Sequence, residues 1–301
     1  MILLAAAPRK YDIYSSPGFI MSTGKFKYEI GCILYNIGAL HTELGAMDAR
    51  NTPDGMKISC THFQCAAWAF QGSDQVPTLL TFLYNVSLAQ AQECILEKSM
   101  TDNRKPTIIG KNYSLQEFWG IRKRNKKPWV SSSPDSTVTE IAGSRKIKMW
   151  RRYCEFKMAY HGAVALLYQG MQAEEQQKMG ERVAYYQAAV DMLKEASKLA
   201  KNLDQQEDEM DRLNKAAQSM CEEDAYELIG ESLTFSHDVM GGKLTAAQKE
   251  NEFVYHEKVP AATTLPEVKG ASLVKGIPFS VTDPEVAGQD IFIKLVPMEA
   301  Y

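Results

Sequence analysis

Asn251-Glu252-Phe253-Val254-Tyr255-His256-Glu257-Lys258-Val259-Pro260 marks the point at which this chain changes character. Before it lies a long run with helical periodicity that includes Gly241-Gly242-Lys243. After it come Pro260, Pro266, Pro278 and Pro284, which fix φ and remove amide donors, so the backbone turns extended. Large apolar residues persist beyond the switch, for example at Leu273-Val274. An extended segment that keeps apolar side chains is expected to lie as a strap along a helical body. Tyr255 is expected to anchor that strap, with phosphorylation as its alternative role.

Working back toward the N-terminus, the helical signal is broad. Residues 1–25 carry Pro8, Pro17, Gly18 and Gly24 and read as an irregular lead-in. From Phe26 onward Ile30, Ile33, Leu34, Ile37, Leu40 and Leu44 share one helical face. Gly31, Gly38 and Gly45 recur every seven residues as a second stripe. Each costs about 1 kcal/mol relative to alanine, so the stripe predicts a close helix–helix approach of tetratricopeptide type. Thr52-Pro53-Asp54 combines a capping hydroxyl, a first-turn proline and an acid at the positive helix end, and predicts a helix running to Gly72. Further helices are expected from Pro77 to about Asp102, over 106–122, 145–172 and 176–202, and over 232–252 with a break at Gly241-Gly242. In the 176–202 segment Tyr185, Ala189, Met192, Leu193, Ala196 and Leu199 keep a 3.6-residue period. Residues 125–144 read as a loop and 203–231 as an acidic helical insertion. No run of paired strands is present, and the expected fold class is all-α, with antiparallel long helices and a C-terminal strap over 256–301.

Composition narrows the functional classes. A net charge of -3 gives no global reason to expect nucleic acid. Between 121 and 160 eleven basic residues face three acids, and over 203–231 ten acids face Arg212 and Lys215. The densest basic cluster, Arg122-Lys123-Arg124-Asn125-Lys126-Lys127, reads as a charged loop, an acidic-lipid contact or a nuclear address. Cys32, Cys60, Cys65, Cys94, Cys154 and Cys221 contain no C-x-x-C pair and are expected as buried reduced thiols in a cytosolic protein. The opening Met1-Ile2-Leu3-Leu4-Ala5-Ala6-Ala7 lacks a basic n-region, and no run approaches the roughly 20 apolar residues of a membrane span.

No catalytic constellation emerges. None of the six cysteines has arginine six residues on, as a phosphatase loop of the C-x5-R type requires. G-x-x-x-x-G-K-[ST], H-E-x-x-H and G-x-S-x-G are absent as well. The histidines His41, His62, His161, His237 and His256 never pair at i+3 or i+4. His41 and His62 fall on adjoining helices and can meet in space, with a structural role expected. The reading is therefore a scaffold with no catalytic residue, metal ligand or cofactor.

Several strings, in order, resemble the Bro1 domain of endosomal sorting adaptors. These are Phe26-Lys27-Tyr28-Glu29 leading into Cys32 to His41, Gly55 to Ala67, Leu88 to Cys94, Gln172 to Lys178 with Gly180 to Tyr186, Asn251 to Pro260, and Asp290 to Pro297. The likeness is closest to the branch related to a tyrosine phosphatase, with the Alix branch more distant. It covers about 26–301 as a partial domain, the family's N-terminal strands and first helices being missing. The resemblance implies a boomerang of helices, and a cytoplasmic adaptor recruited to endosomes. Its partner is the C-terminal amphipathic helix of an ESCRT-III subunit, besides other sorting proteins. The implied patch holds Ile95 and Ile108 as apolar anchors, with Lys57 and Lys98 as basic neighbours and Thr61 on the same surface. A third anchor falls near Asn112, which is polar here, or at Tyr113 after a one-residue shift. The alternatives are a fragment of a non-receptor tyrosine phosphatase, and a peripheral membrane module acting through Arg122, Lys123, Arg124, Lys126 and Lys127.

Overall fold

Thr52, Pro53 and Asp54 open a helix as their chemistry demands. The Thr52 hydroxyl accepts from Gly55 N at 3.0 Å, and its carbonyl accepts from Met56 N at 3.0 Å. In the computed structural model, which describes residues 26–47, 50–71, 77–112, 144–204, 223–266 and 272–278, seven α-helices follow one another. They are α1 (Phe26–Met47), α2 (Pro53–Gln71), α3 (Pro77–Thr101), α4 (Pro106–Asn112), α5 (Ser144–Glu175), α6 (Met179–Asp204) and α7 (Glu223–Glu250). A π-helical turn, Asn251–Tyr255, and a 3-10 turn, Ala262–Thr264, complete the order. No strand occurs among the described residues, and the all-α class holds.

Each helix packs on its sequence neighbour: α1 on α2, α2 on α3, α4 on α5, α5 on α6, and α6 on α7. The main core joins α3, α5, α6 and α7 around Phe82, Trp150, Phe156, Tyr186, Leu193 and Met240, and Ile109 of α4 adds to it. A second cluster joins α2 and α3 through Phe63, Ala67, Leu88 and Ala91, and Val274 of the strap completes it. Cys32, Cys65, Cys94 and Cys154 are buried, and burial pushes the Cys94 and Cys154 thiols up to about 12, keeping them neutral.

The glycine stripe on α1 does what its spacing predicts. A Cβ on Gly38 would stand 2.6 Å from the Phe70 ring, and one on Gly45 would stand 3.0 Å from that of Phe63. Both rings belong to α2, so absent side chains let the helices close around aromatic knobs. The companion expectation needs correction. Ile33, Leu40 and Leu44, grouped with Leu34 as one apolar face, are 57%, 59% and 46% exposed. The glycine side takes the buried position because close backbone approach leaves room for the rings of α2 only there.

A second correction concerns Gly241-Gly242. α7 runs unbroken from Glu223 to Glu250, because neither glycine has a neighbour to accommodate and the intrahelical bonds continue. The loop 125–143, the middle of the acidic insertion, residues 1–25 and the strap beyond Pro278 lie outside the described residues. Of the acidic stretch, Asp204 ends α6 and 223–231 fall within α7.

The opening motif is a clamp. Asn251 Nδ2 donates to Glu257 O at 2.9 Å, and Glu257 N donates to Asn251 Oδ1 at 3.1 Å. Between them His256 takes φ 53°, and its N–H returns to Asn251 O at 2.7 Å. Glu257 Oε2 then accepts from Gly180 N at 2.7 Å. That places a carboxylate at the positive end of α6, where the helix dipole favours it. The anchors of the strap are thus Asn251 and Glu257 rather than Tyr255, which is 45% exposed beside Phe253 and Val254. Further along, Leu273 N donates to Gln92 Oε1, Gln64 Nε2 donates to Lys275 O, and Ile277 N donates to Gln64 O. The strap crosses both α2 and α3 through these bonds.

Candidate docking surface on α2, α3 and α4

Two ion-paired groups hold α3 in place. Arg50, in the α1–α2 turn, meets Glu97 Oε1 at 3.2 Å and donates to Cys94 Sγ at 3.7 Å. One turn earlier, Glu93 is buried, with Lys157 Nζ at 3.1 Å and His161 Nε2 at 2.7 Å, both from α5. Burial alone would raise the Glu93 pKa, but Lys157 and His161 outweigh it and hold the carboxyl well below its usual range. The same contact raises Lys157 against its desolvation, whereas desolvation keeps His161 low. Glu93 and Glu97 are one turn apart on the same side of α3, so these partners from the α1–α2 turn and from α5 tie that side of the helix down.

The outward residues include the sequence candidates. Lys57 is exposed on α2, and Thr61 one turn later donates its hydroxyl to Lys57 O at 2.9 Å. Ile95 is half-buried, packing on the Phe63–Leu88–Val274 cluster. Cys60, the neighbour of Thr61, packs on that same cluster, so α2 and α3 converge there. Lys98 lies one turn beyond Ile95 and pairs with Asp102 at 3.5 Å, its side chain 44% exposed. The α3–α4 turn adds Arg104, 3.7 Å from Asp102, and the exposed Lys105. On α4, Ile109 enters the core at 2% exposure while Ile108 stays 43% exposed. Asn112 closes α4, and its side chain lies outside the described residues, as do Tyr113 and the cluster Arg122, Lys123, Arg124, Lys126 and Lys127.

Ile58, which is 45% exposed beside Lys57, and Leu273, which is 52% exposed on the strap, were not among the residues that sequence reasoning assigned to this surface. A signal for Ile58 existed, since it breaks the polar side of α2. Leu273 had none, because only the crossing of the strap places it. His41 and His62 do meet, Nδ1 to Nδ1 at 2.9 Å. Burial, and then the neighbouring His62, lower His41 to about 4, so His41 is neutral near pH 7 and the contact acts as a structural bridge between α1 and α2. Among the described residues no three metal-ligating side chains gather, and no helix is long and apolar enough to cross a membrane.

The all-helical stack has known counterparts. Residues 11–301 match the model of the BRO1-like domain. The chain belongs to that family. Tyrosine-protein phosphatase non-receptor type 23 of Mus musculus is 45% identical over 301 residues, covering 96% of this chain and 16% of that protein. Programmed cell death 6-interacting protein of Homo sapiens is 26% identical over 287 residues, covering 90% of this chain and 28% of the relative. This Bro1 chain therefore spans well under a third of either protein. A solved structure described as an ALIX BRO1 CHMP4C complex superposes with a TM-score of 0.61 at 24% identity, covering 87% of this chain and 66% of the other. The likeness to the phosphatase lies within the Bro1 region, and the chain itself carries no C-x5-R loop.

Proposed function

We propose that this Bro1 domain is a non-catalytic adaptor of endosomal sorting that binds the C-terminal amphipathic helix of an ESCRT-III subunit. The observation that carries the reading is the split between Ile108 and Ile109: the second fills the core, while the first remains on the surface. An exposed isoleucine on α4, together with a half-buried one on α3, the helix that α4 contacts, suits the apolar stripe of a helical peptide. Lys57 on α2, Lys98 on α3, and Arg104 and Lys105 in the α3–α4 turn supply basic charge on these same elements, with Asp102 as the acid paired to Lys98 and Arg104, and they favour an acidic helix through complementary charge. Thr61 adds a short side chain over which such a helix can pass. Asn112 stands where the family offers a third apolar anchor, which lowers the expected affinity. The solved complex of ALIX with CHMP4C supports the same class of partner. Recruitment to endosomes follows from that binding.

The test is a titration of a fluorescent ESCRT-III C-terminal peptide against the full chain. Ile108→Asp is the decisive variant, because its exposure lets the fold survive the substitution. Loss of an anchor worth about 2 kcal/mol weakens binding by more than tenfold. Asn112→Leu is expected to strengthen it. Equal binding by wild type and Ile108→Asp, with unchanged helicity, sinks the assignment of this surface.

A further inference from the structure

Residues 272–278 of the strap lie across α2 and α3, the helices that carry Lys57, Thr61, Ile95 and Lys98, and their hold there is light. Val274 is the one buried side chain in this segment. It enters the cluster of Phe63, Ala67, Leu88, Ala91 and Cys94, on which Ile95 and Cys60 also pack. Gln92 Oε1 on α3 accepts from Leu273 N at 3.0 Å. On α2, Gln64 bonds twice: Nε2 donates to Lys275 O at 3.0 Å, and its main-chain O accepts from Ile277 N at 3.1 Å. Cys60 Sγ donates to Gln64 Oε1 at 3.5 Å, which turns the amide so that its Nε2 faces the strap. Gly276 permits the close approach, since a Cβ there would stand 3.1 Å from both N and Cα of Trp68, main-chain atoms of α2 that cannot yield. A segment held by one apolar side chain and three such bonds opens locally far more readily than the helices beneath it.

We infer that this segment regulates the docking surface, with Gln64 and Gln92 as positioning residues that seat it; the inference rests on the proposed docking function. With the strap seated, Val274 completes the cluster between α2 and α3, and Ile95 rests on a closed floor. With the strap lifted, the cluster loses a valine side chain, and Ile95 and the turn of α2 around Cys60 and Thr61 relax toward the space it leaves. An apolar anchor that sinks in this way meets the stripe of a helical partner less well. Linkage makes the effect reciprocal. A partner that binds the seated form more tightly holds the strap down by the same factor.

Two measurements on the full chain test this, both with the fluorescent ESCRT-III C-terminal peptide as probe. Gly276→Val lifts the strap and leaves Ile95, Ile108, Lys57 and Lys98 unsubstituted, and the Kd for the peptide is expected to rise about tenfold. Gln92→Met removes the acceptor for Leu273 N at similar side-chain volume and is expected to act in the same direction, more weakly, because Gln64 remains. A purely structural contact would lower the urea midpoint and leave the Kd of the folded chain unchanged. In wild type, saturating peptide is expected to slow hydrogen exchange at the Leu273 and Ile277 amides by the factor that Gly276→Val costs in Kd, and to leave the Thr264 amide, bonded to Ala261 O, as it was. Should Gly276→Val fail to fold, the exchange measurement on wild type decides. A Kd indifferent to both substitutions at unchanged helicity, or exchange at Leu273 and Ile277 indifferent to peptide, overturns the inference while the docking function stands. A wild-type chain with no affinity for the peptide overturns both.

Discussion

The α1–α2 and α5–α6 contacts are built by the same device and end in different situations. In each, a glycine on one helix admits an aromatic ring from the next: Gly38 and Gly45 receive Phe70 and Phe63, and Gly170 receives Tyr186. The surroundings then diverge. Tyr186 is 1% exposed, its hydroxyl donates to Glu174 Oε2 at 3.0 Å, and the Arg182 guanidinium stands 5.9 Å from its ring centre. α7 covers α6, α4 covers α5, and the strap clamps Gly180. α1, in contrast, has α2 on its glycine side and an exposed apolar seam elsewhere. A local packing motif sets how closely two helices approach. The number of layers around it sets how firmly they are held.

Three perturbations rank that difference. The largest effect belongs to the centre: Lys157→Met leaves the Glu93 carboxylate buried without its ammonium partner, and is expected to destabilise by about 3–5 kcal/mol. A urea-unfolding midpoint unchanged from wild type would mean that water reaches Glu93. Next come the matched substitutions Gly170→Ala and Gly38→Ala. The added methyl overlaps the Tyr186 ring in one and the Phe70 ring in the other, and neither ring moves freely inside a packed core. Losses of about 3 and about 1–2 kcal/mol are expected, in that order. Thermal unfolding of the pair reverses the ranking only if α1 is the more confined helix.

The smallest effect is pH-dependent and sits at the edge. His41 is held near 4, below its ordinary value of 6.5, so the unfolded chain takes up a proton first as pH falls. Its contribution to stability is complete above about 6.5 and is lost as pH drops toward 4. His161 is shifted the same way, whereas the stability that Glu93 contributes is complete above the usual carboxylate range and is lost only as pH falls below it. Comparing urea midpoints at pH 7 and 5 should show a smaller drop for His41→Gln than for wild type. An equal drop would move the effect to His161 in the centre.

Much of the fold was legible from residues alone. Thr52-Pro53-Asp54 and Pro77 marked helix starts that the structure places at Pro53 and Pro77. The heptad spacing of glycines announced a close approach before any partner was known. The candidate surface was legible only in part. Lys57, Thr61, Ile95, Lys98 and Ile108 came from family likeness, since periodicity alone would have buried both isoleucines. The Glu93–Lys157–His161 group had no sequence signal, because its members lie 64 and 68 residues apart and charged residues inside a helix ordinarily face water.

α1 draws the boundary between the two kinds of information. Composition and 3.6-residue periodicity determined that the helix carries two non-polar stripes, one of isoleucine and leucine and one of glycine. They also determined that prolines past Asn251 end the helices in an extended strap. Which stripe is buried was decided by Phe63 and Phe70, whose rings need the space that missing side chains leave. The strap followed the same logic. Sequence made it extended, but its course was decided by backbone amides and carbonyls finding Gln64 and Gln92 on helices formed nearly two hundred residues earlier. Local propensity acts through neighbours in the chain; burial and polar satisfaction depend on neighbours in space, which only the assembled fold supplies.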